Sequence, residues 1–189
     1  RQSIIRLRMV LSSIGLLEEF KKLESLDLSG SSSIENLDGL TGCTKLTSLT
    51  FREASFTSLP EGLEKIPRLK HLDLNHCESL QNVDGLASCT KLTSLDLGSC
   101  GSLQNVDGLV NLVNLTNLNL YDCHFVEKVD FLVSLTKLTY LNLDNCNIFV
   151  PPKTEIMTSR EEVIEYQDKI RFVMALRDED TDVLSDYKD

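Results

Sequence analysis

Cysteine and histidine are the residue types through which this sequence could do chemistry, because thiolates and imidazoles bind metals and act as nucleophiles or bases. The chain has 6 cysteines and 3 histidines, but no C-x-x-C or H-E-x-x-H spacing, no Gly-rich phosphate loop and no G-x-S-x-G motif. His71 and His76 are near neighbours, yet no second cluster of metal ligands accompanies them. The sequence therefore predicts no catalytic residue, no cofactor and no metal site, and the protein is not expected to be an enzyme.

Three aspartates form a second group that could take part in chemistry. Asp38, Asp84 and Asp107 each directly precede a glycine. Each of them opens a segment in which apolar residues recur in steps of three. A side-chain acceptor at the start of a short helix can satisfy the free backbone N–H groups of its first turn. We therefore interpret these carboxylates as structural helix caps.

The elements that carry all of these residues repeat along the chain. The same register begins at leucines that are 23 residues apart: Leu23, Leu46, Leu69, Leu92, Leu115 and Leu138. Residues 69–91 and 92–114 are nearly copies of each other, which favours duplication over chance. A fixed period of this length is typical of solenoids, whose units bury their apolar stripes only by stacking on their neighbours.

The apolar spacing changes within each repeat. Leu95 and Leu97 alternate with polar residues, as in a half-buried strand. The next apolar residues follow in steps of three, a spacing that suits a short 3₁₀ helix or coil: Leu103, Val106, Leu109 and Leu112. Each repeat is thus predicted to contribute one strand to a parallel sheet, with neighbouring strands about 4.8 Å apart.

This pattern resembles the leucine-rich-repeat family, whose motif is L-x-x-L-x-L-x-x-N/C. The resemblance covers residues 23–150. The segment 89–100 is similar to the cysteine-containing repeats of ubiquitin-ligase substrate receptors, whereas the 23-residue period and the V-D-G-L segments are similar to internalins and phosphatase regulators. The resemblance implies an α/β fold: a leucine-rich-repeat solenoid, curved as a right-handed horseshoe, with a parallel sheet on its concave face and a C-terminal capping helix.

The cysteines follow the same period. Four occupy the N/C position of the motif. Cys43 and Cys89 share a second inward column, where a column is the set of residues at one position of successive repeats. Free cysteine packs as a small apolar residue, so we expect all 6 to be buried and reduced. Unpaired thiols suit a reducing compartment, which predicts a cytoplasmic or nuclear location.

Four segments follow from these patterns. We expect an incomplete N-terminal repeat or cap over 1–22, six repeats over 23–150, a linker and capping helix over 151–177, and an acidic tail over 178–189. The last four residues match the start of a common epitope tag.

Both ends of the array carry their own signals. Ile5 lies 23 residues before Leu28, which predicts an additional strand in the same register. Residues 158–162 offer overlapping capping boxes for a helix. An apolar stripe at helical spacing follows them: Val163, Tyr166, Ile170, Val173 and Met174. This helix is expected to cover the last repeat, and the alternative is an amphipathic helix that binds a partner.

The charge of the chain limits its partners. The net charge is -10, and residues 178–189 contribute 6 acids and a single lysine to it. An acidic body without an evident Lys/Arg cluster is repelled by phosphate, so we expect neither nucleic acid nor an anionic membrane as a partner. No apolar run reaches the length of roughly 18–20 residues that spans a bilayer.

The residues between and after the strand leucines are predicted to face outward on the concave side. Tyrosines next to carboxylates have the composition of a binding hot spot, and such a surface would suit a basic protein partner. The candidate partner-binding residues are Tyr121, Asp122, Tyr140, Asn142, Asp144, His71, Asp73 and His76.

Two functions follow as hypotheses. The first is a monomeric scaffold or adaptor that binds a protein on its concave face. The second is the recognition part of a larger protein, such as a ubiquitin-ligase substrate receptor or an immune sensor. A secreted adhesin of the internalin kind would need an export signal, and the sequence is not expected to carry one. Function taken from fold alone is an analogy, because leucine-rich repeats serve several functions.

Overall fold

A computed structural model describes residues 5–8, 21–31, 34–148, 151 and 156–185. Most of the predicted N-terminal cap over 1–22, and the end of the acidic tail, lie outside the described residues.

The described strands form one parallel sheet in which each strand lies beside the next in sequence. Strands β2 to β7 keep the 23-residue register, with Leu49 beside Leu72 and Leu95 beside Leu118. The predicted repeat register is therefore confirmed. The seven strands are β1 (Ile5–Arg8), β2 (Leu23–Asp27), β3 (Ser48–Thr50), β4 (His71–Asp73), β5 (Ser94–Asp96), β6 (Asn117–Asn119) and β7 (Tyr140–Asn142).

The first strand departs from the period. Leu7 pairs with Leu26, which lies 19 residues away, and a register shift separates Ile5 from Arg6. The expectation that Ile5 is equivalent to Leu28 is therefore wrong. A strand at the edge of a sheet has a partner on one side only, so its register is less constrained than that of an internal strand.

Short 3₁₀ helices return the chain between strands, as the three-residue steps predict. The strand leucines and the apolar residues of these helices point into one continuous core, and most are fully buried. The 3₁₀ helices are Asp38–Leu40, Leu63–Lys65, Asp84–Leu86, Asp107–Leu109 and Asp130–Ser134.

The predicted aspartate caps are wrong. Asp38, Asp84 and Asp107 are the first residues of their 3₁₀ helices, and none of these helices has a side-chain cap. The asparagine two residues earlier accepts a hydrogen bond from each aspartate N–H, most closely at 2.8 Å between Asn105 and Asp107. The Asp38 carboxylate instead pairs with Lys65 of the next repeat at 2.7 Å.

The glycine after Asp107 is needed because adjacent repeats make close contact there. A Cβ on Gly108 would lie 2.2 Å from the carbonyl oxygen of Val83 in the preceding repeat. Because the obstacle is backbone, relief requires the two repeats to separate. Gly108 is therefore a packing residue, whereas a Cβ on Gly85 would make only ordinary contact with Leu59, at 3.5 Å.

Gly108→Ala is expected to destabilise the protein by about 1–3 kcal/mol, the range of an overpacked core. Urea unfolding measures the effect. The control is Gly101→Ala, since a Cβ on Gly101 meets no atom within 4 Å and its cost should be close to zero. Equal destabilisation by both variants would contradict the packing argument.

The chain ends in the helix α1 (Arg160–Ser185), which extends the predicted helix toward the C-terminus. Its capping box is formed by Ser159 and Glu162: the Glu162 N–H donates to Ser159 Oγ at 3.2 Å, and the Ser159 N–H donates to Glu162 Oε2 at 3.0 Å. These backbone donors hold the pKa of Glu162 below its ordinary value. Val163, Tyr166 and Ile170 are buried, so the predicted capping role is confirmed.

Candidate protein-binding surface

The predicted site residues fall into two groups on the exposed side of the sheet. His71, Asp73 and His76 belong to β4 and the turn after it, and both histidines are exposed. The other group belongs to β6, β7 and their turns, where the side chain of Tyr121 is 41% exposed. Strand β5 lies between the two groups.

The prediction that Asn142 is an exposed binding residue is wrong. The residue was expected on the open surface, but it is only 6% exposed. The segment before α1 pairs with β7, with Met157 and Leu141 exchanging backbone hydrogen bonds of 2.8 and 2.9 Å. This segment lies along the edge of the last strand and leaves Asn142 little surface for a partner.

The column that contains Asp73 and Asn142 has a structural task that the sequence analysis missed. A side-chain oxygen of each residue accepts a hydrogen bond from the backbone N–H two residues later, at 3.1 Å for Asp73 and 3.0 Å for Asn142. Asp27, Asp96 and Asn119 do the same in their own repeats. Such side-chain turns are typical of Asp and Asn, and here they direct the chain away from the end of each strand.

His76 and Asp122 belong to a column with left-handed backbone. Its residues have φ between 57° and 61°: Glu53, His76, Ser99, Asp122 and Asn145. Such angles cost free energy in residues other than glycine and can mark functional sites. Here the conformation recurs in successive repeats, and four of the five backbone N–H groups donate to a carbonyl of the next repeat, as His76 does to Gly98 at 2.8 Å. We therefore assign it to the turn of the repeat.

A polar bridge joins the two groups across β5. The side-chain amides of Asn75 and Asn119 donate to the same oxygen of Asp96, at 3.3 and 2.9 Å. Gly98 makes room for this bridge, because a Cβ there would lie 2.6 Å from the Asn75 amide nitrogen. The centre of the surface is thus flat and polar.

Asp73 is already engaged within the protein. Its Oδ2 lies 2.7 Å from the guanidinium of Arg52, which raises the pKa of Arg52. A partner that binds Asp73 must compete with this ion pair. The group around β4 is therefore less available than the sequence suggested.

The group around β6 and β7 is more open. Tyr121 is exposed, while Tyr140, Asp122 and Asp144 are half-buried. Tyr140 lies opposite Asn117 at the start of β6, whereas Tyr121 lies in the turn two residues beyond the end of β6. The two rings therefore belong to opposite ends of neighbouring strands. They can contact two points of one ligand.

Asp122 is held in place by the following turn. Its Oδ1 accepts a hydrogen bond from the Asn145 side chain at 3.2 Å and lies 3.4 Å from His124 Nε2. The Nδ1 atom of His124 lies 3.0 Å from the Asn145 carbonyl oxygen. Asp122 therefore presents its charge from a fixed position beside Tyr121.

The cysteines behave as predicted in burial, since all 6 are buried free thiols. Four of them also form a hydrogen-bonded ladder, in which each thiol contacts a carbonyl oxygen 26 residues earlier at 3.0–3.3 Å. The residues of this ladder are Cys77, Cys100, Cys123 and Cys146. In the described part of the chain, no group of three or more potential ligands is placed to hold a metal ion.

The premise that the chain has no Lys/Arg cluster is wrong. Arg68, Lys70, Lys91 and Lys137 line one open groove beside the sheet. These four residues are separated by consecutive gaps of 2, 21 and 46 residues along the chain, so a linear scan for basic runs does not detect them. Among the described helices, none is long and apolar enough to cross a bilayer.

The sequence matches two family models in the region where the repeats are most regular. One describes leucine-rich repeats in two copies and matches residues 67–111, and the other describes a single leucine-rich repeat and matches residues 137–157. Together with the observed sheet, these matches decide the family. The chain is a leucine-rich-repeat protein. No curated protein is significantly similar to it in sequence.

Three solved structures are similar to this chain. The functional domain of InlJ from Listeria monocytogenes, described as including a cysteine ladder, has a TM-score of 0.52 and 23% identity over 69% of this chain. The internalin InlF from Listeria monocytogenes has a TM-score of 0.40 and 20% identity over 75% of this chain. TLR13 in a complex with ssRNA13 has a TM-score of 0.49 and 22% identity over 68%.

This leucine-rich-repeat protein spans a fraction of each of those chains. It covers 26% of the InlJ chain, 54% of the InlF chain and 20% of the TLR13 chain. At these identities the likeness to InlJ establishes the fold alone, so any function must be argued from the surface of this chain.

Proposed function

We propose that this leucine-rich-repeat protein is a recognition module that binds a protein with a basic surface. The binding site is the surface formed by Tyr121, Asp122, Tyr140 and Asp144, which we call the tyrosine surface. The observation that carries the proposal is the 41% exposure of Tyr121, an aromatic ring on the polar face of the sheet, next to carboxylates.

The tyrosine surface combines affinity with selectivity. A tyrosine buries a large ring at a low entropic cost, because it has few rotatable bonds, and tyrosines are enriched in binding hot spots. The carboxylates of Asp122 and Asp144 attract cations and disfavour acidic partners. The underlying sheet is held by hydrogen bonds from repeat to repeat, so little ordering is needed on binding.

The residues around β4 have a secondary role in this proposal. His71 and His76 are exposed at the far side of the polar bridge, and a partner large enough to cover β5 would contact them. Asp73 contributes less, because its charge is neutralised by Arg52.

The tyrosine surface is tested by changing Tyr121 and Tyr140 to Ala together. Neither ring is part of the buried core, so the melting temperature should change little. Binding of a captured partner should weaken by about 2 kcal/mol, roughly a thirtyfold rise in Kd, as for hot-spot residues. Partners are captured from an extract of the source cells, purified, and titrated against both proteins by calorimetry.

The matched control changes Ser25 and Ser48 to Ala at the opposite end of the same sheet face. These serines are half-buried and lie in the column of Tyr140, so the control should bind as well as the wild type. Unchanged binding by the tyrosine variant, together with losses from substitutions on α1, would reject the proposal and favour the helix as the site.

The cellular setting is part of the proposal. The buried free thiols support a reducing compartment such as the cytoplasm or nucleus. We expect the module to act as a monomer, either as a scaffold or adaptor or as the recognition part of a larger protein such as a ubiquitin-ligase substrate receptor or immune sensor. The tyrosine surface serves both alternatives in the same way.

A further inference from the structure

We propose that the protein has a second interaction surface, which binds an extended acidic segment of a partner protein. It lies where the strands begin, at the edge of the sheet. We call it the basic edge, and it consists of Lys22, Lys45, Arg68, Lys70, Lys91 and Lys137. It differs from the tyrosine surface in its location and in the sign of its charge.

The basic edge arises from the repeat itself. Lys22, Lys45, Arg68, Lys91 and Lys137 each immediately precede the first leucine of a repeat, and Asn114 takes that place in the remaining repeat. Because the strands are parallel and in register, residues that share a position in the repeat lie along one edge of the sheet. Neighbouring strands are about 4.8 Å apart along this edge. All six cations of the basic edge are exposed.

The cations of the basic edge are not neutralised by the protein. Within the described residues, no carboxylate lies within ion-pair distance of any of them. Lys91 Nζ donates to the Pro67 carbonyl oxygen at 2.7 Å and Lys137 Nζ to Asn114 Oδ1 at 2.6 Å, both of which are neutral acceptors. These contacts fix the position of the charge and leave it uncompensated.

Five cations elsewhere on the surface form ion pairs within the protein. Arg52, Lys65, Lys169, Arg171 and Arg177 each pair with an aspartate or glutamate. In a protein with a net charge of -10, a row of unpaired cations along one edge is a concentrated field of the opposite sign. Its ligand is therefore an anion.

The floor of the groove indicates which anion. The groove has a volume of about 650 Å³, and threonines, Pro67 and Asn114 line it together with the cations. The Thr93 and Thr116 hydroxyls donate to carbonyl oxygens of the preceding repeat at 3.2 and 2.9 Å, so their methyl groups remain for a ligand. Grooves for single-stranded nucleic acids combine positive charge with aromatic rings that stack on bases, and this lining contains no aromatic residue.

The width of the sheet also favours a narrow ligand. Strand β4 has three residues, from His71 to Asp73, a span of about 10 Å at 3.3 Å per residue. Asp73, Asp96 and Asp144 lie at the opposite, C-terminal ends of the strands. A wide polyanion would reach these carboxylates and be repelled, whereas an extended peptide with Asp or Glu side chains can stay on the basic edge.

The test uses a short fluorescent polyglutamate peptide and an oligothymidylate of equal charge. The wild type should bind polyglutamate at low ionic strength, with affinity that falls as salt is added. Arg68→Glu combined with Lys70→Glu should weaken binding about tenfold or more, because two cations at the start of β4 are replaced by anions. Neither side chain makes a hydrogen bond in the described structure, so folding should persist, as circular dichroism verifies. The neutral Arg68→Gln, Lys70→Gln variant should give an intermediate loss.

The matched control is Lys128→Glu combined with Lys169→Glu, which changes the net charge equally at exposed positions away from the basic edge. It should bind polyglutamate within about twofold of the wild type, as should the Tyr121→Ala, Tyr140→Ala variant. Absence of binding by the wild type at low salt, or equal losses in the control, would overturn the proposal. Tighter binding of oligothymidylate than of polyglutamate would overturn it in favour of a nucleic acid ligand.

Discussion

Raising the pH from 9 to 10 is expected to remove roughly 4 kcal/mol from the free energy of unfolding of the reduced protein, through its buried thiols alone. Burial raises the pKa of Cys77 and Cys89 to about 11 and that of Cys123 to about 12, and it raises the pKa of Cys100 as well, each from an ordinary value of 9.0. The loss is comparable to the whole stability of a small domain.

The direction follows from the protons bound in each state. Above pH 9 the cysteines of the unfolded chain lose their protons, while those of the folded protein keep them until the pH approaches the raised pKa. The unfolded state then binds fewer protons, so stability falls by about 1.4 kcal/mol per pH unit for each such thiol. Ionisation would also remove the proton that each ladder thiol donates to a carbonyl.

Urea unfolding at a series of pH values, with a reductant present, measures this slope. The window between pH 9 and 10 reports mainly on the thiols, because Tyr166 in the unfolded chain is only half-ionised at pH 10, its ordinary pKa being 10.0 and its folded pKa about 12. The matched variant replaces Cys100 and Cys123 by Ala. It is expected to be less stable at pH 7, but its loss from pH 9 to 10 should be smaller by roughly half. An equal slope for both proteins would show that the thiols do not control alkaline unfolding.

The repeat register could be predicted from the sequence because the same physical constraint recurs. A leucine such as Leu95 fits the core only beside Leu72 and Leu118, so a fixed spacing in sequence becomes a fixed spacing in the sheet. The constraint fails at the end of the array, where Leu7 has moved to a 19-residue offset from Leu26.

The details of the site were less predictable, because they depend on contacts between repeats. His76 and Ser99 give no sequence signal for a left-handed backbone, yet the repeat requires it at their position. The burial of Asn142 depends on the segment at Met157, which returns to β7 from beyond the last repeat. The basic edge did have a signal, since aligning the repeats places Lys45, Arg68 and Lys91 in one column.

The second large effect concerns α1, which covers the open end of the core. Replacing Tyr166 by Ala is expected to cost about 3–5 kcal/mol, and replacing Ile170 by Ala about 2–5 kcal/mol. Tyr166 is 1% exposed and its hydroxyl donates to the Pro151 carbonyl oxygen at 3.4 Å, while Ile170 is completely buried. Each truncation leaves a cavity between the helix and the last repeat.

The consequence should extend beyond the helix, because each repeat is stabilised mainly by its neighbours. Gln167 also anchors α1, since its Nε2 donates to the Leu132 and Leu135 carbonyl oxygens at 2.6 and 3.2 Å. When α1 detaches, these carbonyls lose their partner and β7 becomes the open end of the array. Hydrogen exchange should therefore accelerate first at the amides of β7, while those of β4 stay protected.

The matched control is Phe172→Ala on the same helix, where the ring is 66% exposed. Its effect on the urea midpoint should be close to zero, although the side chain removed is as large as that of Tyr166. If Phe172→Ala destabilised the protein as much as Ile170→Ala, α1 would be packing through its other face. In that case the helix could not close the core as described, and exchange at β7 would be fast already in the wild type.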